Sequence, residues 1–177
     1  MRGGIGWQVN TVFKHSNIFQ PGTSKHEAKV EAREELAKQG LSATSDKLGA
    51  RTAIYSYGTA SKYKDTWHSV AEFAKQEHGL RDITKLEASH IQAYLENKIA
   101  EGVKYSTFQR ECAAIAKFEQ ALTRFAQSDV AEKYKVSNTE FNFKEAIESA
   151  REVAKETLSR DIKDRGFENA REVINNI

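Results

Sequence analysis

The sequence predicts an all-α protein: a bundle of four to five helices preceded by an N-terminal segment of helical or mixed structure. Three observations predict it. A single proline, Pro21, stands in 177 residues, and proline is the residue that breaks helices. Apolar residues recur at three- and four-residue steps through several long stretches, which places them on one helical face. Ser, Thr or Asn stands three positions ahead of Glu or Gln where many of these stretches begin, the signature of a capped helix start.

The elements follow in order. Residues 1–22 are glycine-rich and hold the Pro21-Gly22 turn. Trp7, Val9, Thr11 and Phe13 alternate, which predicts one short strand. Ser24 and Glu27 form a capping box that opens a helix to Lys38, and Gly40 stops it. Its charges alternate in sign, so most of it is solvated. Residues 41–58 read as a looser connector with a turn of helix near Asp46. Thr59 to His78 is a helix with Ala60, Tyr63, Trp67, Val70, Ala71 and Ala74 inward, closed by Gly79. Thr84 and Glu87 box the start of the next, which turns Ala88, Ile91, Leu95 and Ile99 inward and ends at Gly102. Ser106 and Gln109 box a third, running to Ala126 with Phe108, Cys112, Ile115, Leu122 and Phe125 inward. A fourth spans residues 143–159, with Ala146, Ile147, Ala150, Val153, Ala154 and Leu158 inward. Asn169 and Glu172 cap a last helix that is still apolar at Val173, Ile174 and Ile177, from which a longer native chain is expected.

Composition narrows the function classes. One cysteine, Cys112, leaves no internal disulfide and fits a reducing, cytoplasmic setting. No apolar run approaches the ~20 residues of a membrane span, and the N-terminus has no signal-peptide core. The net charge is +2. Residues 1–67 carry ten Lys+Arg against six Asp+Glu, residues 68–127 eight against eight, and residues 128–177 nine against eleven. A nucleic-acid binder shows a basic face rather than a basic total.

Such a face is found on the helix from Ser106 to Ala126. Arg110, Lys117 and Arg124 stand seven residues apart, within about 40° of one another and ~10 Å apart along the axis. They point away from Phe108, Ile115 and Leu122. The helix's two acids, Glu111 and Glu119, fall off this stripe. Three cations so spaced suit a row of phosphates. Ser106, Thr107 and Gln109 add polar donors at the helix N-terminus, where free N–H groups also favour phosphate. The competing reading is a solvated helix back with three ordinary cations.

The order of pieces resembles a known family. The helix Thr59–His78 is followed by Asp82-Ile83-Thr84-Lys85-Leu86, then by Ile91 to Leu95 within a second helix. A third opens Ser106 to Arg110 and continues Ala113-Ala114-Ile115 and Phe118. This is similar to the SAM-like core-binding domain of tyrosine recombinases (the phage-integrase family) over about 70 residues. Arg110 comes one residue early from Ser106, and Cys112-Ala113 replace the usual Leu-Ser. The resemblance implies an orthogonal SAM-like bundle that clamps duplex DNA with two helices, here those starting at Thr59 and Ser106. It implies Lys62 and Lys64 on the first, and Lys104, Ser106, Thr107, Gln109, Arg110 and Lys117 on or beside the second, with Arg124 completing the stripe. Gln109 suits adenine and Arg110 guanine, so these are the base readers. The implied organisation is an extension over 1–55, a DNA-binding domain over 56–163, and a linker over 164–177 leading to a catalytic domain. The implied partners are double-stranded DNA, that catalytic domain and sister protomers.

No catalytic constellation is expected within the chain. His78-Gly79-Leu80-Arg81 matches the family's His-x-x-Arg, but it ends a helix ahead of the DNA-binding phrases. There a histidine suits the helix dipole. Tyr134 is the last tyrosine, and its context is wrong for a nucleophile. His15, His26, His68, His78 and His90 show no pairing for zinc, and Gly3 to Gly6 lack the flanking strand and helix of a phosphate loop. No cofactor, metal or small-molecule substrate is expected. Two alternatives stay open. One is a helical protein-interaction or oligomerisation module without DNA affinity; the other is a self-contained DNA-binding regulator.

Overall fold

The computed structural model describes residues 1–158. The helix expected from Asn169 and the linker over 164–177 lie outside these residues. Among the described residues the protein is all-α. Its helices are α1 (Ile5–His15), α2 (Lys25–Lys38), α3 (Ser45–Arg51), α4 (Tyr57–His78), α5 (Ala88–Ala100), α6 (Tyr105–Ala126) and α7 (Lys144–Thr157), with a 3₁₀ turn at Ile83–Lys85.

Helix α6 forms the centre. Nine of its residues are buried, on more than one side, so α1, α4, α5 and α7 all pack against it. Helix α4 starts where Ser56 Oγ accepts the Thr59 N–H at 3.2 Å and ends at Gly79, whose φ of 67° is the left-handed cap. Trp67 links α4 to α6. It is wholly buried, its ring stacks on Phe118 at 4.9 Å, and its Nε1 donates to the Ala114 carbonyl at 2.7 Å. Helix α7 packs chiefly on α5. Ala146, Ile147, Ala150 and Ala154 are buried as expected, but Val153 is 50% exposed. That valine stands on the solvent side of the stripe.

The N-terminal strand expected over Trp7 to Phe13 is a helix instead. Ile5, Val9 and Val12 fall on one helical face with Gln8, and all four are buried. This helical set outcompetes the alternation. The sole bridge among the described residues pairs Phe19 with Ile54 in parallel, outside any strand. Helix α1 packs into the main bundle. Ile5, Val9, Val12, Ile18 and Ile54 belong to the same core as Trp67 and Phe118. Only α2 and α3 stand apart, around a small cluster of Ala32, Leu36 and Leu48.

Gln8 ties α1 to the chain between α4 and α5. Its Nε2 donates to the carbonyls of Gly3 (2.8 Å) and Arg81 (2.7 Å), and its Oε1 accepts the Ile83 N–H at 3.0 Å. Replacing it with Leu strands buried backbone groups. Gln8→Leu is expected to cost about 2–4 kcal/mol of stability, since each unsatisfied buried group costs ~1–3 kcal/mol. A shift of the urea midpoint to lower concentration at unchanged slope checks this.

Two expected capping boxes take other forms. At the one expected from Thr84, Asp82 Oδ1 accepts from both the N–H and the hydroxyl of Thr84, closing the 3₁₀ turn. This buries Ile83 and Leu86 together. Helix α5 then begins at Ala88, with the Glu87 N–H donating to His90 Nδ1 at 2.9 Å. At the one expected from Ser106, α6 begins at Tyr105, which puts Ser106 inside the helix and makes the N-cap residue Lys104, whose ammonium has no acceptor for a backbone N–H.

Candidate nucleic-acid interface

The predicted site residues divide into two groups. Lys62, Lys104 and Arg110 are exposed, and none forms an ion pair among the described residues. Ser106 and Thr107 are half-buried in the first turn of α6. That turn carries no acid and no side-chain cap. Its leading N–H groups therefore stay available between the cations of Lys104 and Arg110.

The other predicted residues are committed within the molecule. Lys117 is the most heavily engaged residue of the stripe. Its amine donates to the carbonyls of Gly49 (2.7 Å) and Thr52 and to Gln120 Oε1 (3.0 Å). An ammonium has three donors, so none is left for a phosphate. Burial, with Arg124 and Lys25 nearby, pulls this amine down to about 8. Gln120 joins the same contact, donating to the carbonyl of Ala50 at 2.9 Å. Arg124 Nη1 donates to the Asn17 carbonyl at 3.3 Å, and burial lowers this group too, with Tyr55 opposing. The back of α6 that the helical wheel leaves open is thus covered by residues 17–20 and 49–55. These two stretches hold each other through Ile54 N to Ile18 O and Gln20 N to Ile54 O, both 2.8 Å.

Gln109 and Lys64 are likewise engaged. Gln109 Nε2 donates to the Tyr105 hydroxyl at 2.8 Å, and its Oε1 accepts from Arg151 Nε at 3.1 Å. Both ends of the amide a base reader needs are in use. Lys64 sits over the Phe13 ring at 4.8 Å, a cation–π contact that holds its head against α1.

Other polar groups in the bundle serve packing. Glu111 accepts from the Tyr94 hydroxyl at 2.9 Å. Burial, with Glu111 beside it, pushes the Tyr94 hydroxyl far above its usual range. Burial likewise raises Cys112 to about 11, against the pull of Arg151, so it stays a thiol in the core. Burial lifts the Glu119 carboxyl above the usual carboxylate range, while the Phe143 N–H it accepts and Lys144 hold part of the shift back. His78 is exposed, 5.1 Å from His90 ring to ring. No cluster of three metal-ligating side chains occurs among the described residues, nor is any described helix long and apolar enough to cross a membrane.

The family described as "Phage integrase, N-terminal SAM-like domain" matches residues 50–125, from the end of α3 to the end of α6. No curated protein and no solved structure matches the chain.

Proposed function

We infer, from residues 50–125 being a phage-integrase N-terminal SAM-like domain, the core-binding module of tyrosine recombinases, that this chain grips double-stranded DNA. The observation that carries the reading is this family identity. The start of α6 supports it. Lys104 and Arg110 flank an acid-free helix N-terminus with Ser106 and Thr107 between them. Lys62 on α4 adds a further exposed cation. Phosphate contacts of this kind set register and affinity, while base edges set sequence. Arg110, exposed and without an internal partner among the described residues, is the candidate base reader, with guanine its preferred match. Lys117 and Arg124 act one step back, by holding the N-terminal segment on the helix that carries the contacts. The partners under this reading are duplex DNA, a catalytic domain of the same recombinase and sister protomers on the recombination site.

Salt-dependent binding tests the face. Removing a cation that neutralises one phosphate lowers the slope of log affinity against log salt by about 0.9. The Lys104→Ala, Arg110→Ala pair is expected to weaken binding to a duplex of about 30 base pairs and flatten that slope by about 2. Fluorescence anisotropy across a salt series reads both. Unchanged slope in the double variant removes this face from the reading.

A further inference from the structure

A second basic site lies outside the matched segment. The N-terminal residues and the turn after α6 line an open cleft of about 290 Å³ formed by Met1, Arg2, Trp7, Lys133, Tyr134 and Lys135. Three of the six are cations and two are aromatic. No carboxylate lines it. The amino group of Met1 is paired with Asp82, so the lysines and Arg2 supply the cleft's charge.

The aromatic wall is exposed yet held. Trp7 is 48% exposed, although burying an indole is among the largest apolar gains a fold can make. Its ring lies against the Gly3 backbone so closely that a Cβ there would stand 2.6 Å from Cε3. Gly3 has φ of 112°, which a side chain would resist. Tyr134 meets the same indole edge-on at 5.9 Å, and Tyr134 is itself braced by Phe125 and His15. The platform is therefore fixed from below and from the side while part of it faces solvent.

Lys135 supplies the third feature. It occupies the left-handed region at φ 55°, in a turn closed by Lys135 N to Glu132 O and Val136 N to Ala131 O. Glycine is the usual occupant of such a position. A lysine here costs stability and places a cation at the cleft. Lys133 stands 5.7 Å over the Tyr134 ring on the same turn.

We propose that this cleft binds a nucleotide, its base stacked on Trp7 and its phosphate met by Arg2, Lys133 and Lys135. A fixed aromatic face beside clustered cations is the arrangement that takes a single base with its phosphate. A duplex does not offer such a base, so the ligand is a free nucleotide or one in an unpaired strand. The site shares no residue with the proposed duplex face, and its test is separate.

Fluorescence provides the readout, because Trp7 is exposed and the other tryptophan, Trp67, is fully buried. The full chain is titrated with deoxyadenosine 5′-monophosphate, deoxyadenosine, inorganic phosphate, a ten-base single-stranded oligothymidylate and an acidic tyrosine-containing peptide. The expected result is saturable quenching by the monophosphate at millimolar concentration or below, with nucleoside and phosphate each at least about tenfold weaker. Oligonucleotide binding much tighter than the monophosphate assigns the site to an unpaired strand, and equal binding assigns it to free nucleotide; both support the proposal. Lys135→Gly is expected to weaken binding severalfold while raising the urea midpoint, which separates a ligand role from a folding role. Arg110→Ala, by contrast, should leave the quench intact. No saturable quench by monophosphate or oligonucleotide overturns the proposal. So does unchanged affinity in Lys135→Gly combined with Lys133→Ala, or tighter binding of the acidic peptide than of any nucleotide.

Discussion

Trp67→Ala is expected to destabilise the fold by about 4–6 kcal/mol, more than any other substitution proposed for this chain. Truncating a fully buried tryptophan costs ~3–5 kcal/mol, and the stack on Phe118 adds ~0.5–1.5 kcal/mol beyond area. The indole also holds Phe13, whose ring centre is 5.9 Å away, so the hole opens between α1, α4 and α6. A domain of this size has a total stability of only ~5–15 kcal/mol, and the variant approaches or crosses the unfolding limit at about 37 °C. Trp67→Phe keeps most of the stack and loses the donor to Ala114; about 1–3 kcal/mol is expected. Urea unfolding followed by far-ultraviolet circular dichroism checks both. A loss below about 2 kcal/mol for Trp67→Ala would contradict a single core shared by these three helices.

Lys117→Met carries the second large effect, and its size depends on pH. Methionine retains the stem but leaves the carbonyls of Gly49 and Thr52 without the amine, a cost of about 1–3 kcal/mol at pH 7. The amine titrates at about 8 in the folded chain against 10.5 when free. Its folded pKa is therefore depressed. Below about 8 the group is charged in both states, and the folded state bears the burial cost. Between about 8 and 10.5 the folded chain releases its proton first, so stability from this group rises with pH. The wild type's advantage over Lys117→Met should widen from about pH 7 to about pH 9.5, by about 2 kcal/mol. Comparing two proteins cancels the opposing contribution of Cys112, whose raised value removes stability above about pH 9 in both. The exchange protection factors of the Gln20 and Ile54 amides, taken against the free-chain rate at each pH, should rise over the same range in the wild type alone. A pH-independent difference would place the amine in solvent rather than under the 49–55 segment.

The long helices are legible in the sequence because their information is local. Ala60 to Ala74 and Phe108 to Phe125 repeat with the helical period, and glycines mark the ends at 79 and 102. What the sequence hides is non-local. Nothing around Lys117 says that Gly49 and Thr52 return to cap its amine, and a helical wheel treats any direction away from the core as solvent. Of the stripe, Arg110 alone stays exposed because it lies near the N-terminal end of α6, beyond the covering segment. Gln109 suits a base reader on chemistry alone, yet its amide is taken by Tyr105 and Arg151. The strand expected at Trp7 to Phe13 fails because alternation and helical spacing overlap in short apolar runs. One local signal does point to the helix: Ile5, Val9 and Val12 recur at four- and three-residue steps.

The pairing of Phe19 with Ile54 draws the chain together at two points 35 positions apart. Everything between them, α2 and α3 included, is attached to the bundle as a loop is attached to its stem. Its own cluster is three residues, Ala32, Leu36 and Leu48, while the ladder that closes it rests on α6. Such an appendage opens and closes at a free-energy cost of its own, well below that of the body. It is also the part of the molecule where evolution can lengthen, trim or replace the chain without disturbing the core, since both ends already meet.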